Sequence, residues 1–277
     1  MNRKNTLAQR LCASPHIVWS AIFIVVPLIM VFYYAFTDKS GAFTLENISR
    51  LSDYTTTFLR SIWFGIIATI ICLVIAYPLA YIIAQSKARV QSTMIMLVMV
   101  PMWMNFLLRT YSWMTLLEDT GVINNILGKI GIEPLHMINT SGAVILGMVY
   151  NFLPYMVLPI YTVMTKLDTS LVEAAQDLGA NKYRVFRDVI IPSSMSGVVS
   201  GITMVFVPSV STFYISQKLG GGSFALIGDI IEMQFQVSNN FNFGAALSLV
   251  LMILILICMA VMNKFGDTDD SRGGVMI

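Results

Sequence analysis

Charged residues are scarce in this chain. Asp, Glu, Lys and Arg make up 12% of its 277 residues, against 56% hydrophobic residues, whereas a soluble domain carries about 25% charged residues. The apolar residues also stand in blocks of roughly 20, the length that crosses a bilayer as a helix. The sequence therefore predicts an all-α membrane protein that crosses the bilayer several times.

Cysteine is also sparse, and its three positions lie far apart. Cys12, Cys72 and Cys258 have no spacing typical of a metal site, and no disulfide framework follows from them. They are interpreted as small packing residues. No run of Lys and Arg suited to nucleic acid is present either. We therefore expect no metal site in this chain and no nucleic-acid partner.

No acidic residue lies in the middle of a predicted span. All fifteen Asp and Glu residues fall in loops or at span ends, and both histidines, His16 and His136, lie at span margins. Proton- and ion-coupled transporters usually place such groups inside the membrane, so a stand-alone secondary transporter is disfavoured, although sodium sites built from backbone carbonyls escape this argument. The motifs G-x-x-x-x-G-K-[ST] and G-x-S-x-G are absent as well. No catalytic residue is predicted, and the energy for any transport has to come from elsewhere.

Six apolar segments are predicted to be membrane spans. The first follows a basic start and is longer than the apolar region of a signal peptide, so an uncleaved span is expected. Prolines inside the spans predict kinked helices that face other helices, and Pro208 makes the fifth span the least regular. The spans are expected to form a single transmembrane domain over residues 1–277. Their approximate bounds are 17–36, 61–84, 94–117, 141–165, 193–215 and 244–263.

Lys and Arg are distributed unequally between the two sides of the membrane. If the N-terminus is inside, eleven of them stand on inner segments, five on outer segments, and Arg109 lies within the third span. Because cytoplasmic loops carry the excess of Lys and Arg, both termini are expected in the cytoplasm. The segment 166–192 is then the largest cytoplasmic loop. The eleven inner residues are Arg3, Lys4, Arg10, Lys87, Arg89, Lys166, Lys182, Arg184, Arg187, Lys264 and Arg272.

Two of the outer loops contain patterns of short helices. An apolar stripe that begins at Val122, between Gly121 and Gly131, predicts a short amphipathic helix. The stretch "FALIGDIIEMQF" at 224–235 predicts another one. It follows three consecutive glycines, which are typical of a turn.

The largest cytoplasmic loop carries local signals for two short helices. Ser170 and Glu173 have the spacing of a capping box, and Gly179 is placed to end the first helix in the left-handed conformation. Asn181 can cap a second helix, and Pro192 suits the first turn of the next span. Such a helix pair could lie on the lipid headgroups or offer a face to a partner protein. The residue pattern alone leaves both interpretations open.

The sequence of this loop, "EAAQDLGANKYRVFRDVIIP" at 173–192, resembles the EAA motif of the permease subunits of binding-protein-dependent ABC importers. That motif reads E-A-A, three residues, Gly, nine residues and I-x-L-P, and this chain departs from it only by aliphatic exchanges at Val189 and Ile191. The resemblance implies an importer permease with six spans, whose loop 166–192, hereafter the EAA loop, docks in a cleft of an ATPase subunit. The residues expected to serve this coupling are Glu173, Ala174, Ala175, Asp177, Gly179, Arg184, Phe186 and Pro192.

Three further stretches resemble the spermidine/putrescine branch of this family. They are "FTLENISRL" before the second span, "PMWMNFLLRTYSWMTLLEDTGVINNIL" at 101–127 and "GGGSFALIGDIIEMQF" at 220–235. This resemblance implies a second, different permease subunit (PotC-type), an ABC ATPase homodimer that binds ATP and Mg, an extracytoplasmic substrate-binding protein and a location in the inner membrane among its lipids. No cofactor is expected in this chain itself. Permeases for thiamine, iron or phosphonate share parts of the pattern and remain alternatives, as does a stand-alone secondary transporter or channel.

A polyamine pathway would need aromatic faces and amide or carbonyl oxygens, because each cation–π contact contributes about 0.5–2 kcal/mol. The same aromatic residues could equally be packing or interfacial residues. Arg109 should not face a cation, so we expect it to be a structural or gate residue paired with an acid or with carbonyls. The pathway candidates are Trp103, Asn105, Tyr111, Tyr150, Asn151 and Tyr155, with Asp229 and Glu232 as cation-attracting acids on one helix face.

Overall fold

The computed structural model describes residues 15–222 and 224–270, with side chains up to residue 262. This part of the chain is almost wholly helical and contains one isolated β-bridge, between Thr37 and Phe43, so the expected all-α fold is confirmed. The helices are α1 (Pro15–Ala35), α2 (Glu46–Ser49), α3 (Thr55–Ala84), α4 (Ala88–Trp103), α5 (Phe106–Leu117), α6 (Val122–Lys129), α7 (Ser141–Met164), α8 (Thr169–Asp177), α9 (Lys182–Ser193), α10 (Met195–Ser211), α11 (Tyr214–Leu219), α12 (Ile227–Gln236) and α13 (Phe241–Asp270). Cys12 and four basic residues used for the orientation, Arg3, Lys4, Arg10 and Arg272, lie outside the described residues.

Within the described residues, four helices are long and apolar enough to cross a membrane, namely α1, the run Glu46–Ala84 that ends with α3, α7 and the Phe241–Met262 part of α13. Two bent helix pairs bring the number to six if each pair forms one span. The short helices α6 and α12 form where the apolar patterns of the outer loops predict them.

The third and fifth expected spans are broken. α4 meets the following segment, Phe106–Lys129, at 89°, and α9 meets α10 at 60°. The first break follows Pro101, which lies in the last turn of α4. The second lies at Ser194 and not at Pro208, which is inside α10. Here α9 widens into a π turn at Phe186–Ile190, which is a common cause of a helix kink. Pro192 follows this turn and has no backbone N–H to donate to a regular helical hydrogen bond.

The chain divides into two compact units. Among the described residues, the first comprises 15–55 and 230–253, and its small core is formed by Ala35, Ala245, Ala246 and Leu249. Polar contacts join its segments. Asn242 Nδ2 donates a hydrogen bond to the carbonyl oxygen of Thr37 at 2.8 Å, and the Arg50 guanidinium carbon lies 4.8 Å from the centroid of the Phe243 ring.

Among the described residues, the second unit comprises 56–222, 224–229 and 254–270 and contains the larger core. α3 contributes a stripe of small side chains at every fourth position. Small residues let neighbouring helices approach closely in a membrane protein. Cys72 Sγ accordingly lies 3.8 Å from the carbonyl oxygen of Val149 in α7. The members of the stripe, all fully buried, are Ala68, Cys72, Ala76 and Ala80.

In the same unit, α10 packs against the backbone of α7. A Cβ atom on Gly197 would lie 2.9 Å from the carbonyl oxygen of Pro159, and one on Gly201 would lie 3.2 Å from that of Met156. At Gly197 only glycine permits this approach, since a backbone oxygen cannot move aside as the end of a flexible side chain does, and at Gly201 an added Cβ atom would be tight. The helices before and after the EAA loop are therefore in direct backbone contact.

We predict that Gly197→Ala destabilises the protein. The added methyl group forces α7 and α10 apart, and overpacking of this kind costs about 1–3 kcal/mol. The measurement is the thermal unfolding midpoint of the purified protein in nanodiscs. Gly142→Ala at the start of α7 is the matched control, because its nearest non-local atom is Thr140 Oγ1 at 3.7 Å. Equal midpoints for the two variants would contradict the close contact.

Candidate functional site

The first helix of the EAA loop, α8, is capped by Asp168. The Oδ1 atom of Asp168 accepts a hydrogen bond from the backbone N–H of Ser170 at 2.9 Å, and the bonds to Ser170 lower the pKa of this carboxyl. The expected capping box of Ser170 and Glu173 is wrong, because the helix already begins at Thr169. An aspartate one residue before that start takes the N-cap position and leaves the serine inside the first turn.

The end of α8 has the predicted glycine turn. Gly179 has φ +82°, its N–H donates to the carbonyl oxygen of Gln176 at 2.8 Å, and the N–H of Ala180 donates to that of Ala175 at 3.0 Å. These two bonds form a Schellman motif, in which glycine avoids the clash of a Cβ atom in the left-handed region. The glycine turn between the two loop helices is thus confirmed.

The second helix of the loop, α9, is held against α3 by an aromatic cluster. Its N-cap is Asn181, as predicted, with Oδ1 accepting from the backbone N–H of Arg184 at 2.9 Å. The Phe186 ring packs edge-on against Tyr77 at 5.9 Å and against Tyr81 at 5.2 Å between ring centroids. Phe186 therefore anchors the loop to its own chain, whereas the sequence interpretation placed it among the residues that serve coupling.

α8 has one packed side and one open side. Val172 and Ala175 pack against the hydrophobic core of the second unit. Leu171, Ala174 and Leu178 lie at i, i+3 and i+7 and are exposed, with Leu171 52% and Leu178 90% accessible. The side chains of these three residues, hereafter the apolar stripe, make little contact with the rest of the chain. The three residues form a small apolar patch that the described part of the chain leaves uncovered.

Several of the other expected coupling residues also lie on the surface. Asp177, Arg184 and Pro192 are exposed. Glu173 lines a groove of about 590 Å³ between α8 and the ends of α3 and α7. No other described residue forms an ion pair with Glu173. Phe186 and Ala175, in contrast, pack against the core.

Two pathway candidates lie at the break between α4 and α5. Trp103 is the last residue of α4 and is 70% exposed. Asn105 caps α5, and its Oδ1 accepts from the backbone N–H of Leu107 at 2.8 Å. This cap explains why a new helix starts at Phe106. It also occupies the side-chain oxygen of Asn105, which the sequence analysis had predicted to contact the substrate.

The candidates on α7 form separate contacts. Tyr150 packs edge-on against Trp113 of α5 at 5.3 Å, and Tyr155 lies 6.4 Å from Phe152 and is 39% exposed. Asn151 is buried. Its Nδ2 donates to the carbonyl oxygen of Gly147 at 2.8 Å, and its Oδ1 has no hydrogen-bond partner among the described residues.

Tyr111 belongs to a cluster that the sequence interpretation missed. Its ring packs edge-on against Tyr214 of α11 at 6.2 Å. The ammonium of Lys218, one turn further along α11, lies 5.4 Å from the Tyr111 ring centroid and 5.8 Å from that of Tyr214. The spacing of Tyr214 and Lys218, four residues apart, was the available signal, because residues at i and i+4 share a helix face.

Asp229 is engaged within its own unit. Its Oδ1 accepts a hydrogen bond from Ser216 Oγ at 2.9 Å, and its Oδ2 accepts one from the backbone N–H of Leu226. The side chain is buried and closes the start of α12. Asp229 is therefore structural and does not present a free carboxylate to a cation, contrary to the expectation. Glu232, on the next turn of α12, is partly exposed.

Arg109 is buried on the inner face of α5. It is 8% exposed, and its Nε and Nη1 atoms have no hydrogen-bond partner among the described residues. The expected pairing of these atoms with an acid or with carbonyls is wrong. The helix that begins after Asn105 turns Arg109 into the core beside Thr110, where its guanidinium carbon lies 5.9 Å from the Phe106 ring centroid.

Comparison with known proteins relates the chain to transport systems. The model of the family described as "Binding-protein-dependent transport system inner membrane component" matches residues 76–267. The chain is 35% identical over 250 residues to the spermidine/putrescine transport system permease protein PotB of Haemophilus influenzae, which covers 87% of each chain. It is 37% identical over 236 residues to PotB of Escherichia coli, covering 82% of this chain and 86% of that protein.

Solved structures of two importers have a similar fold. A chain of a bacterial ABC transporter that imports the acidic polysaccharide alginate matches with a TM-score of 0.77 and 16% identity, covering 96% of both chains. A chain of the MetNI methionine ABC transporter matches with a TM-score of 0.56 and 15% identity, covering 80% of this chain and 96% of that one. At these identities the similarity concerns the fold alone.

The bent and continuous apolar helices, with a capped polar loop between two of them, define an integral membrane protein. The chain belongs to the family of inner-membrane components of binding-protein-dependent transport systems. It is a multi-pass inner-membrane protein of the ABC importer permease family, and its relatives have a transport role. The resemblance carried by the EAA loop is thereby confirmed.

We predict that Gly179→Ala loosens α8. Its Cβ would meet no atom within 4 Å, so the cost is backbone strain alone, about 1–2 kcal/mol for a left-handed residue. Hydrogen exchange of the last amides of α8 should become about 5- to 30-fold faster, since 1.4 kcal/mol corresponds to a factor of about ten. Exchange as slow as in the parent protein would show that the left-handed turn is dispensable.

Gly128→Ala is the matched control for this measurement. Gly128 also has open space around it but lies inside α6, without a positive φ. Alanine favours a helix interior over glycine by about 0.5–1 kcal/mol, so this variant should not loosen its helix. Gly179→Asn should restore part of the protection of α8, since asparagine tolerates the left-handed region.

Proposed function

We propose that this chain is one of two permease subunits of an ATP-driven importer of polyamines such as spermidine and putrescine. The observation that carries the proposal is the 35–37% identity to spermidine/putrescine permeases over 82–87% of the chain. The companions are a second, different permease subunit, a substrate-binding protein on the outer side and an ATPase homodimer. ATP and Mg bind to the ATPase, and this chain carries no cofactor.

The proposed orientation has both termini in the cytoplasm. Its support is the excess of Lys and Arg on the inner segments, including Lys182, Arg184 and Arg187 of the EAA loop. A cytoplasmic ATPase can reach the EAA loop only in this orientation. Binding of the ATPase through the loop therefore tests the orientation together with the coupling role.

The apolar stripe of Leu171, Ala174 and Leu178 is the proposed contact with the ATPase. A short helix that lays an apolar face into a partner groove gains affinity from its buried anchors, and Ala174 lets the two backbones approach. Asp177 and Arg184 provide polar groups at the edge of this surface. Asp168 and Gly179 fix both ends of α8, so little conformational entropy is lost on docking.

Motion of the ATPase would reach the membrane helices through packed contacts. Val172 and Ala175 tie α8 to the core, and Phe186 ties α9 to Tyr77 and Tyr81 of α3. The hydroxyl of Tyr77 shares a hydrogen bond with Ser194 at 2.8 Å, at the bend between α9 and α10. A displacement of the EAA loop would therefore act on α3 and α10 together.

The proposed pathway uses the aromatic residues that remain accessible. Trp103, Tyr111 and Tyr155 expose ring surface on helices with several exposed side chains. Cation–π contact with an ammonium contributes about 0.5–1 kcal/mol at exposed sites, enough for weak and reversible binding. Tyr150 and Asn151 support these helices from inside, and Arg109 is a structural or gate residue. High affinity for the substrate then resides in the binding protein.

We predict that Leu178→Asp abolishes coupling without affecting the fold. Leu178 is 90% exposed, so its own chain loses little. Fully burying a leucine contributes about 1.5–3 kcal/mol, so affinity for the ATPase should fall by about tenfold or more. The measurements are co-purification of the ATPase and the ATP hydrolysis that substrate-loaded binding protein stimulates.

Leu135→Asp is the control for the coupling experiment. Leu135 lies in the loop before α7 and is 53% exposed, so the same chemical change is made away from the EAA loop. It should leave ATPase binding unchanged. ATPase binding by Leu178→Asp that equals that of Leu135→Asp would show that the apolar stripe is not the docking surface.

The substrate is tested by uptake into proteoliposomes that contain this chain, its partner permease and its ATPase, with the cognate binding protein outside. We predict uptake of labelled spermidine or putrescine that requires ATP and that an excess of unlabelled polyamine blocks. Thiamine, ferric ion and phosphonate should not compete. Competition by one of these three, or uptake without ATP, would favour the alternative permease or a stand-alone transporter.

A further inference from the structure

The ammonium group of Lys218 lies beside two tyrosine rings, Tyr111 of α5 and Tyr214 of α11. The rings of Tyr111 and Tyr214 stand edge-on at 79°, and the Lys218 ammonium lies within 6 Å of both ring centroids. That distance is the range in which the electron-rich face of a ring attracts a cation. No described residue forms an ion pair with Lys218. Aromatic rings thus stabilise its charge where an acid would be usual.

The arrangement has the properties of a binding site for a primary ammonium. The Lys218 side chain ends in the same group, a –CH₂–NH₃⁺ on a methylene chain, that terminates an aliphatic polyamine. Tyr111 is 41% exposed, so a solute can reach its ring. α11 packs against both α5 and α7, so the two rings are held by packed helices while the lysine stem has four rotatable carbons.

We propose that the tyrosine pair of Tyr111 and Tyr214 is a transit site for a polyamine ammonium, with Lys218 as the internal occupant that the substrate displaces. The proposal rests on the proposed function, because it assigns a place for that substrate. One ammonium leaves the rings as another arrives, so the rings hold one ammonium at a time while Lys218 stays nearby on its own side chain.

The exchange also makes the site weak. The incoming ammonium gains the cation–π contacts that Lys218 gives up, so the net free energy is only the difference between two similar interactions. A tethered competitor has a high effective concentration, which favours return of Lys218 after the substrate has moved on. Weak binding followed by expulsion is what a transit site requires.

The first test observes Lys218 directly. Reductive methylation with ¹³C-formaldehyde converts lysines of the complete complex in nanodiscs to dimethyl-lysines that keep their charge. The Lys218 signal is assigned by its loss in Lys218→Arg. Spermidine without binding protein should move this signal saturably from a ring-shifted position toward that of free dimethyl-lysine. Magnesium chloride at the same ionic strength should not move it. A signal that spermidine leaves unmoved overturns the proposal.

The second test measures spermidine binding to the complex by equilibrium dialysis. Lys218→Gln removes the internal competitor and should tighten binding by about 2- to 30-fold, the range equivalent to 0.5–2 kcal/mol of cation–π energy. Lys129→Gln on α6 is the matched control, since it removes the same charge from an exposed helix away from the two tyrosines. Equal binding by both variants overturns the exchange.

The tyrosine faces are tested in the same assay. Tyr111→Leu removes a ring and should weaken spermidine binding in the Lys218→Gln background, whereas Tyr111→Phe keeps the face and should retain it. Equal binding by the leucine and phenylalanine variants would show that the Tyr111 ring does not bind spermidine and would overturn the site. If the parent complex does not import spermidine at all, the proposed function fails. If import proceeds and the Lys218 signal stays fixed, only the exchange fails.

Discussion

The backbone contact between α7 and α10 is the constraint on which the second unit depends. Gly197 and Gly201 bring α10 within van der Waals distance of carbonyl oxygens in α7. These helices flank the EAA loop on both sides in the sequence. The loop therefore starts and ends on one closely packed pair of helices, α7 and α10. A force on the loop would act directly on both of them.

The loop itself is stiff for reasons that are local in the chain. Asp168 and Asn181 cap the starts of its two helices, and Gly179 closes the turn between them through two backbone hydrogen bonds. Its aromatic anchor, Phe186, faces inward, while Leu178 faces outward. One side of the loop is thus packed on its own chain, and the side that carries Leu178 is left exposed.

These local features were largely predictable from the sequence, and the departures have specific causes. Gly179 and Asn181 act over three or four residues, so their roles could be recognised. Ser170 was misassigned because Asp168, two residues earlier, is an equally good cap and takes the first position. The bond of Asp229 to Ser216 and the contact of Lys218 with Tyr111 could not be predicted, because Ser216 and Tyr111 stand on other helices and the direction of α5 depends on the break near Asn105. The period at which apolar residues recur does not show where one apolar block bends into two helices.

The distribution of charge in the second unit fits a protein that passes cations without binding them tightly. A carboxylate buried in the membrane would hold a polyamine strongly, and every step of release would have to overcome that attraction. Here the carboxylate of Asp229 accepts hydrogen bonds from Ser216 and Leu226, and the rings of Tyr111 and Tyr214 lie against the ammonium of Lys218. Rings attract an ammonium over a short range and leave no net charge behind when it departs. Energy from outside the chain can then set the direction of transport.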